Sequence, residues 1–164
     1  MTDGQRFIDN GDGTITDSLT HLMWAKNDSY LDLKKFLTHA QAIKFRDQKN
    51  KEAFAGYTDW RLPDKKEAHT LFDKNKALQD KYEMDIHIDP VFGPGCGYDT
   101  WTSNTRGKIT AYVYSFNSGS GGHKEAGDLL NTSVRLVRGT LNPSIKLENP
   151  PAVRDRVVQG GGWR

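Results

Sequence analysis

Gly56-Tyr57-Thr58-Asp59-Trp60-Arg61-Leu62-Pro63-Asp64-Lys65-Lys66-Glu67-Ala68-His69-Thr70-Leu71-Phe72-Asp73 runs from a turn through a short extended piece into the start of a helix. Pro63 biases Leu62 towards extended backbone. Asp64 is placed to cap a helix, and Glu67, three residues on, can reach back to complete a capping box. Ala68, Leu71 and Phe72 then fall on one face at helical spacing. Trp60 and Leu62, two apart on an extended segment, point the same way. A strand-like aromatic anchor is therefore predicted beside a pinned helix start.

Before this stretch, short β-branched runs at 6–9 and 14–17 flank Asn10-Gly11-Asp12-Gly13, which predicts a hairpin. Asp9, Asp12 and Asp17 invite a calcium reading, but Gly11 and Gly13 stand where a helix–loop–helix calcium site needs oxygen ligands, so the pattern fails. Leu22-Met23-Trp24-Ala25 reads as a buried strand. Asn27-Asp28-Ser29 offers caps for one long helix reaching about Gln48, with Leu33, Phe36, Leu37, Ala40, Ile43 and Lys44 as its stripe. After Phe72, the charged run 74–83 is expected to be an exposed helical or irregular insertion, and 86–92 an extended piece. Strands are expected at 98–103, 109–116 and 134–138, with 117–128 a Gly/Ser-rich loop. From Asn142 onward, Pro143, Pro150, Pro151 and the glycines at 160–162 suggest an extended tail, which Val157, Val158 and Trp163 could dock. The division expected is residues 1–141 as one domain and 142–164 as a Pro/Gly-rich tail.

The Gly-Tyr-Thr-Asp-Trp-Arg-Leu-Pro-Asp-x-x-Glu motif resembles the signature of the DUF1566 family, the domain at the C-terminus of the Legionella collagen-like adhesin. Residues 6–17 followed by Leu22-Met23-Trp24 resemble that family's opening hairpin, and Thr100-Trp101-Thr102-Ser103 with Ser133-Val134-Arg135-Leu136-Val137-Arg138-Gly139 its closing strands. Three separated motifs in the family's order are more specific than any one of them. The resemblance implies an α+β, C-type lectin-like fold: two helices packed on a twisted, mostly antiparallel sheet with long loops. It also implies a secreted or surface-attached ligand-binding domain, since better-understood members bind ligands that include sulfated glycans. Its structural signature falls on Trp24, Trp60, Arg61, Leu62, Pro63, Glu67, Trp101, Arg135 and Arg138.

With 164 residues the chain suits one domain. Its 35% hydrophobic and 10% aromatic content argues against disorder. A net charge of +2 gives no whole-molecule field of the kind that drives nucleic-acid binding, although the segment from Ser133 onward carries six basic residues against two acidic ones. The single cysteine, Cys96, excludes an intrachain disulfide. No run reaches transmembrane length. The first six residues lack an apolar signal-peptide core, which leaves a cytoplasmic chain or one whose leader has been removed as the two expectations.

Chemistry-bearing patterns are sparse. Cys96 lies in a Gly/Pro loop and needs a base such as His87 or His123 to become a nucleophile. The five histidines show no metal-ligand spacing, so no metal and no cofactor is expected. No phosphate loop or nucleophile elbow is present, and the chain is expected not to be an enzyme. Sulfates and carboxylates want Arg and Lys, whose charged hydrogen bonds are the strong ones. The late loops offer Tyr98, Asn104, Arg106, Lys108, Asn117, His123, Lys124 and Asn131 as a ligand-binding surface. The tripeptides of calcium-dependent lectins are missing. The leading expectation is therefore non-enzymatic recognition of a glycan, sulfated or acidic. The alternatives are a protein–protein or self-assembly module acting through the tail and Trp163 and, third in order, an enzyme using Cys96. Trp24, Trp60 and Trp101 are expected in the core. Arg61, Arg135 and Arg138 are open to ligand contact or to pairing with Asp59 or Asp17.

Overall fold

A computed structural model describes residues 5–152. The fold is α+β, built from three antiparallel sheets and short helices. Strands β1 (Phe7–Asp9), β2 (Thr14–Asp17), β3 (Met23–Ala25) and β9 (Val137–Arg138) form the first sheet, in the order β1-β2-β3-β9. β4 (Leu78–Gln79) and β5 (Asp85–Ile86) form a small ribbon. β6 (Asp99–Arg106), β7 (Thr110–Ser115) and β8 (Ser120–Glu125) form a meander with β7 central.

The signature stretch folds as its residues dictate. Asp64 accepts from the Glu67 amide at 2.7 Å, and Glu67 accepts from the Asp64 amide at 3.0 Å, opening α3 (Lys65–His69) with a complete capping box. The Arg61 guanidinium grips the same Glu67 carboxylate at 2.7 and 2.9 Å and also donates to the Gly139 carbonyl. The Arg61 backbone exchanges both hydrogen bonds with Val137, so the signature is stitched directly to β9. Trp60 is buried; Asn50 clamps its backbone at 2.7 and 2.9 Å, and its indole N–H donates to the Phe54 carbonyl. Trp60, Leu62 and Trp101 share one core cluster; Trp24, Ala68 and Leu71 share the other.

Several expectations are corrected. The single long helix is two: α1 (Ser29–Leu33), capped by Asp28, and α2 (His39–Lys51), opened by a second capping box between Thr38 and Gln41. The break falls at Lys34, whose φ of 60° is left-handed. The predicted stripe fails with it: Leu33, Ala40 and Lys44 are exposed, and His39 and Ala42 are the buried residues of α2. The loop expected at 117–128 contains β8, which pairs with β7 from Thr110 to Ser115. Of the strand expected at 134–138, only Val137–Arg138 is ladder; Val134 and Leu136 instead accept from Ser29 and Ala25. The charged insertion at 74–83 contains β4. β9 lies beside β3 at the edge of the first sheet, with β2 and β3 between it and β1.

The arginines divide by partner. Arg138 pairs with Asp59 at 2.6 Å and covers the Tyr57 ring. Asp17 is taken by Arg6, not by a late arginine. Arg135 is buried and donates to the Ala25 and Lys26 carbonyls. After β9, Leu141 packs on the core, and Asn142 donates its amide to the Thr20 carbonyl. Val157, Val158 and Trp163 lie outside the described residues.

Candidate functional site

A shallow hollow of about 380 Å³ opens where α1, the start of α2 and the β4–β5 turn meet. Its construction begins at Asp80, a buried carboxylate that accepts from the Tyr82 amide at 2.8 Å and the Met84 amide at 3.0 Å. Those two bonds close the tight turn that puts Lys81 and Tyr82 at the surface. Across from it, α1 presents Tyr30, and the left-handed turn at Lys34 brings Phe36 back to pack on Tyr30 with ring centroids 4.9 Å apart. The Lys81 ammonium sits over three rings: Tyr82 at 4.6 Å, Tyr30 at 4.8 Å and Phe36 at 5.5 Å. A cation over an aromatic face is held electrostatically by the ring quadrupole. The Tyr30 hydroxyl beside it holds the Lys81 ammonium above its usual range. Lys34 and Lys35 complete the rim with Gln41 and the half-exposed Leu129, and among the described residues no carboxylate lines the hollow.

The residues proposed from sequence do not converge. Tyr98 and Asn131 reach the edge of this face through Tyr82, which meets the Tyr98 ring edge-on at 6.3 Å and places its hydroxyl 3.5 Å from the Asn131 carboxamide. Arg106 and Lys108 flank the β6–β7 turn, whereas Asn117 sits in the β7–β8 turn and donates to the Asp85 carbonyl. β7 lies between those turns, and its six residues separate them by about 20 Å. Asn104 accepts from the Lys65 amide at 2.7 Å at the start of α3. His123 packs edge-on against Tyr112. Lys124 pairs with Asp128 at 3.6 Å and covers Trp101. Tyr30, Lys34, Lys35, Phe36 and Lys81 were absent from the sequence-derived set. The one local signal was a Lys-Tyr pair inside Asp80-Lys81-Tyr82-Glu83-Met84-Asp85, and a charged run of that kind ordinarily marks a solvated face.

Cys96 is fully buried, and burial pushes its thiol up to about 11, partly opposed by Arg135. His87 donates from Nδ1 to the Lys76 carbonyl at 2.8 Å. Among the described residues no group of three or more His, Cys, Asp or Glu could hold a metal ion, and no helix is long and apolar enough to cross a membrane.

A family model for the Lcl C-terminal domain matches residues 13–138, from the opening hairpin through the Arg61–Val137 stitch to β9. No curated protein matches the chain. The match covers most of the chain and carries an adhesin-related domain type with it, so this chain belongs to the Lcl C-terminal domain family.

Proposed function

We propose that this domain is a non-enzymatic ligand-binding module that recognises acidic glycans, sulfated ones foremost, through the Lys81 face. The observation that carries the reading is the Lys81 ammonium held over Tyr30, Phe36 and Tyr82, with Lys34 and Lys35 beside it and no carboxylate among the described residues of the hollow. Tyrosine rings offer a broad apolar face with a polar edge, which suits the C–H face and hydroxyls of a sugar ring. Lysines supply the charge-assisted contacts a sulfate takes. A buried Cys96 whose thiol is raised lacks the thiolate character a cysteine nucleophile needs, which supports a non-enzymatic role.

The test is binding to immobilised heparin and to its desulfated form at two salt concentrations, because contacts between exposed charges are screened by salt. Salt-sensitive binding that requires sulfate is expected. The triple variant Lys34→Ala/Lys35→Ala/Lys81→Ala should weaken it by about 10- to 100-fold, given up to about 1 kcal/mol for each exposed pair. No binding at low salt, or an unaltered triple variant, overturns the reading. A protein ligand is the second reading; Leu129 and Leu130, 52% and 71% exposed next to the hollow, favour it. It predicts a partner whose binding falls in Leu130→Ser while heparin retention is unchanged.

A further inference from the structure

A deeper cleft, about 420 Å³, lies behind α1, away from the Lys81 face. Its walls come from six segments: the β1–β2 turn, the end of β3 with the residues after it, α1, α2, the 3₁₀ turn at Phe54–Gly56, and Leu136 just before β9. Among the described residues four charged side chains line it. Lys26 pairs with Asp9 at 2.9 Å, and Lys49 pairs with Asp32 at 3.1 Å. Lys49 is also held over the Phe54 ring at 4.6 Å and the Phe45 ring at 5.4 Å. The wall made by the hairpin turn has no side chains at Gly11 and Gly13, both at positive φ; a Cβ on Gly13 would meet the Phe54 ring at 3.1 Å. Gly13 thus lets the Phe54 ring pack against the turn, and Gly11 has open space beside it.

We propose that this cleft binds one neutral, polyhydroxylated ring, an unsubstituted sugar unit. Two carboxylates against two ammoniums leave the lining balanced, so a charged ligand would have to break an ion pair to be matched. A hydroxyl does not face that cost. Each ammonium has three donors and its ion pair takes one, and each carboxylate has more lone pairs than its ion pair uses. Sugar hydroxyls, being donors and acceptors at once, engage both without disturbing either pair. Phe45, Phe54 and the buried Leu136 supply the apolar wall for the ring's C–H face. The volume falls within the roughly 300–1,000 Å³ that small-ligand sites occupy. The cleft does not depend on the acidic-glycan reading: it shares no lining residue with the Lys81 hollow and selects the opposite charge class.

The experiment is an amide chemical-shift titration of the full chain with methyl pyranosides of gluco, galacto and manno configuration, with glucuronic acid alongside. At least one neutral pyranoside is expected to shift the amides of Gly11, Gly13, Asn27 and Phe45, and to bind more tightly than the acid. Asp32→Asn should weaken it about tenfold, the loss of one charge-assisted hydrogen bond, and leave heparin retention intact. Lys81→Ala should leave the pyranoside shifts intact. Asn27→Ala, at an exposed position, serves if Asp32→Asn fails to fold. Overturning results are no shifts with any pyranoside, shifts centred on Lys81, tighter binding of the acid, or unchanged affinity in the cleft variants. Loss of heparin binding in wild type overturns only the acidic-glycan reading.

Discussion

Asp28 joins three separate segments of the chain. Its carboxylate caps α1 by accepting from the Leu31 amide at 2.9 Å, and it also accepts from the Gly97 amide at 2.9 Å and the Ser133 hydroxyl at 2.7 Å. It is 2% exposed, so water cannot replace any of those partners. Asp28→Ala leaves buried donors unsatisfied and removes a helix cap, and should cost about 2–4 kcal/mol in urea unfolding. Asp28→Asn keeps the shape but turns one of the two accepting oxygens into an NH2 facing a backbone N–H, so it should recover only part of that loss. Glu67 plays a comparable part in the signature, completing a capping box and receiving the Arg61 fork. Arg61 and Glu67 were both legible as signature residues. Their pairing was not, because Arg61 had Asp59 as a nearer carboxylate in sequence, and tertiary placement gave Asp59 to Arg138.

At the scale of elements, short caps beat long periodicity. Thr38 with Gln41 opens α2, and the left-handed residue at Lys34 closes α1, where the spacing of apolar residues had suggested one continuous helix. The end of α2 uses a second left-handed residue, Ala53, at φ 53° and ψ 52°. A left-handed backbone crowds an alanine Cβ against the following carbonyl, at about 1–2 kcal/mol. Glycine avoids that at some cost in unfolded-state entropy. Ala53→Gly should therefore stabilise the domain by about 0.5–1 kcal/mol, seen as a higher urea midpoint with an unchanged slope. β8 was missed for a related reason. Gly121 reads as loop punctuation, yet it sits mid-strand because the Tyr112 ring and the Val113 carbonyl occupy the space a Cβ would need.

For the whole molecule, buried ionisable groups tie stability to pH. Burial holds the His69 imidazole below its ordinary 6.5, against a smaller opposing pull from Glu148, while its Nδ1 lies 2.7 Å from the Tyr114 hydroxyl. The unfolded chain then takes up the proton first. His69 contributes fully above about pH 6.5, and that contribution is lost as pH falls from there through the depressed folded value. Burial alone would raise Asp17, but hydrogen bonds from Arg6 and Thr20 outweigh it and hold the carboxyl below 3.8. Its contribution is present above that value and lost at lower pH. At the alkaline end, burial raises Tyr112 to about 12 and Tyr114 further, so stability present below pH 10 is lost as pH rises. Urea midpoints across pH should show a step below pH 6.5 that His69→Gln removes, while the lower acid transition remains.

The local devices were legible in the residues alone: the α3 capping box, the opening hairpin, the buried tryptophans and the family to which the chain belongs. Each of those is set by neighbours within a few residues or by an ordered series of motifs. Only the tertiary structure decided which carboxylate each arginine takes, that 117–128 holds a strand, and that Lys81 lies over Tyr30, Phe36 and Tyr82. Some of those contacts are long-range, such as Arg138 with Asp59 and Lys81 with Tyr30 and Phe36, while others, such as Arg61 with Glu67, are near in sequence; in both cases the free energy that selects the partner comes from burial and packing, which no local pattern encodes.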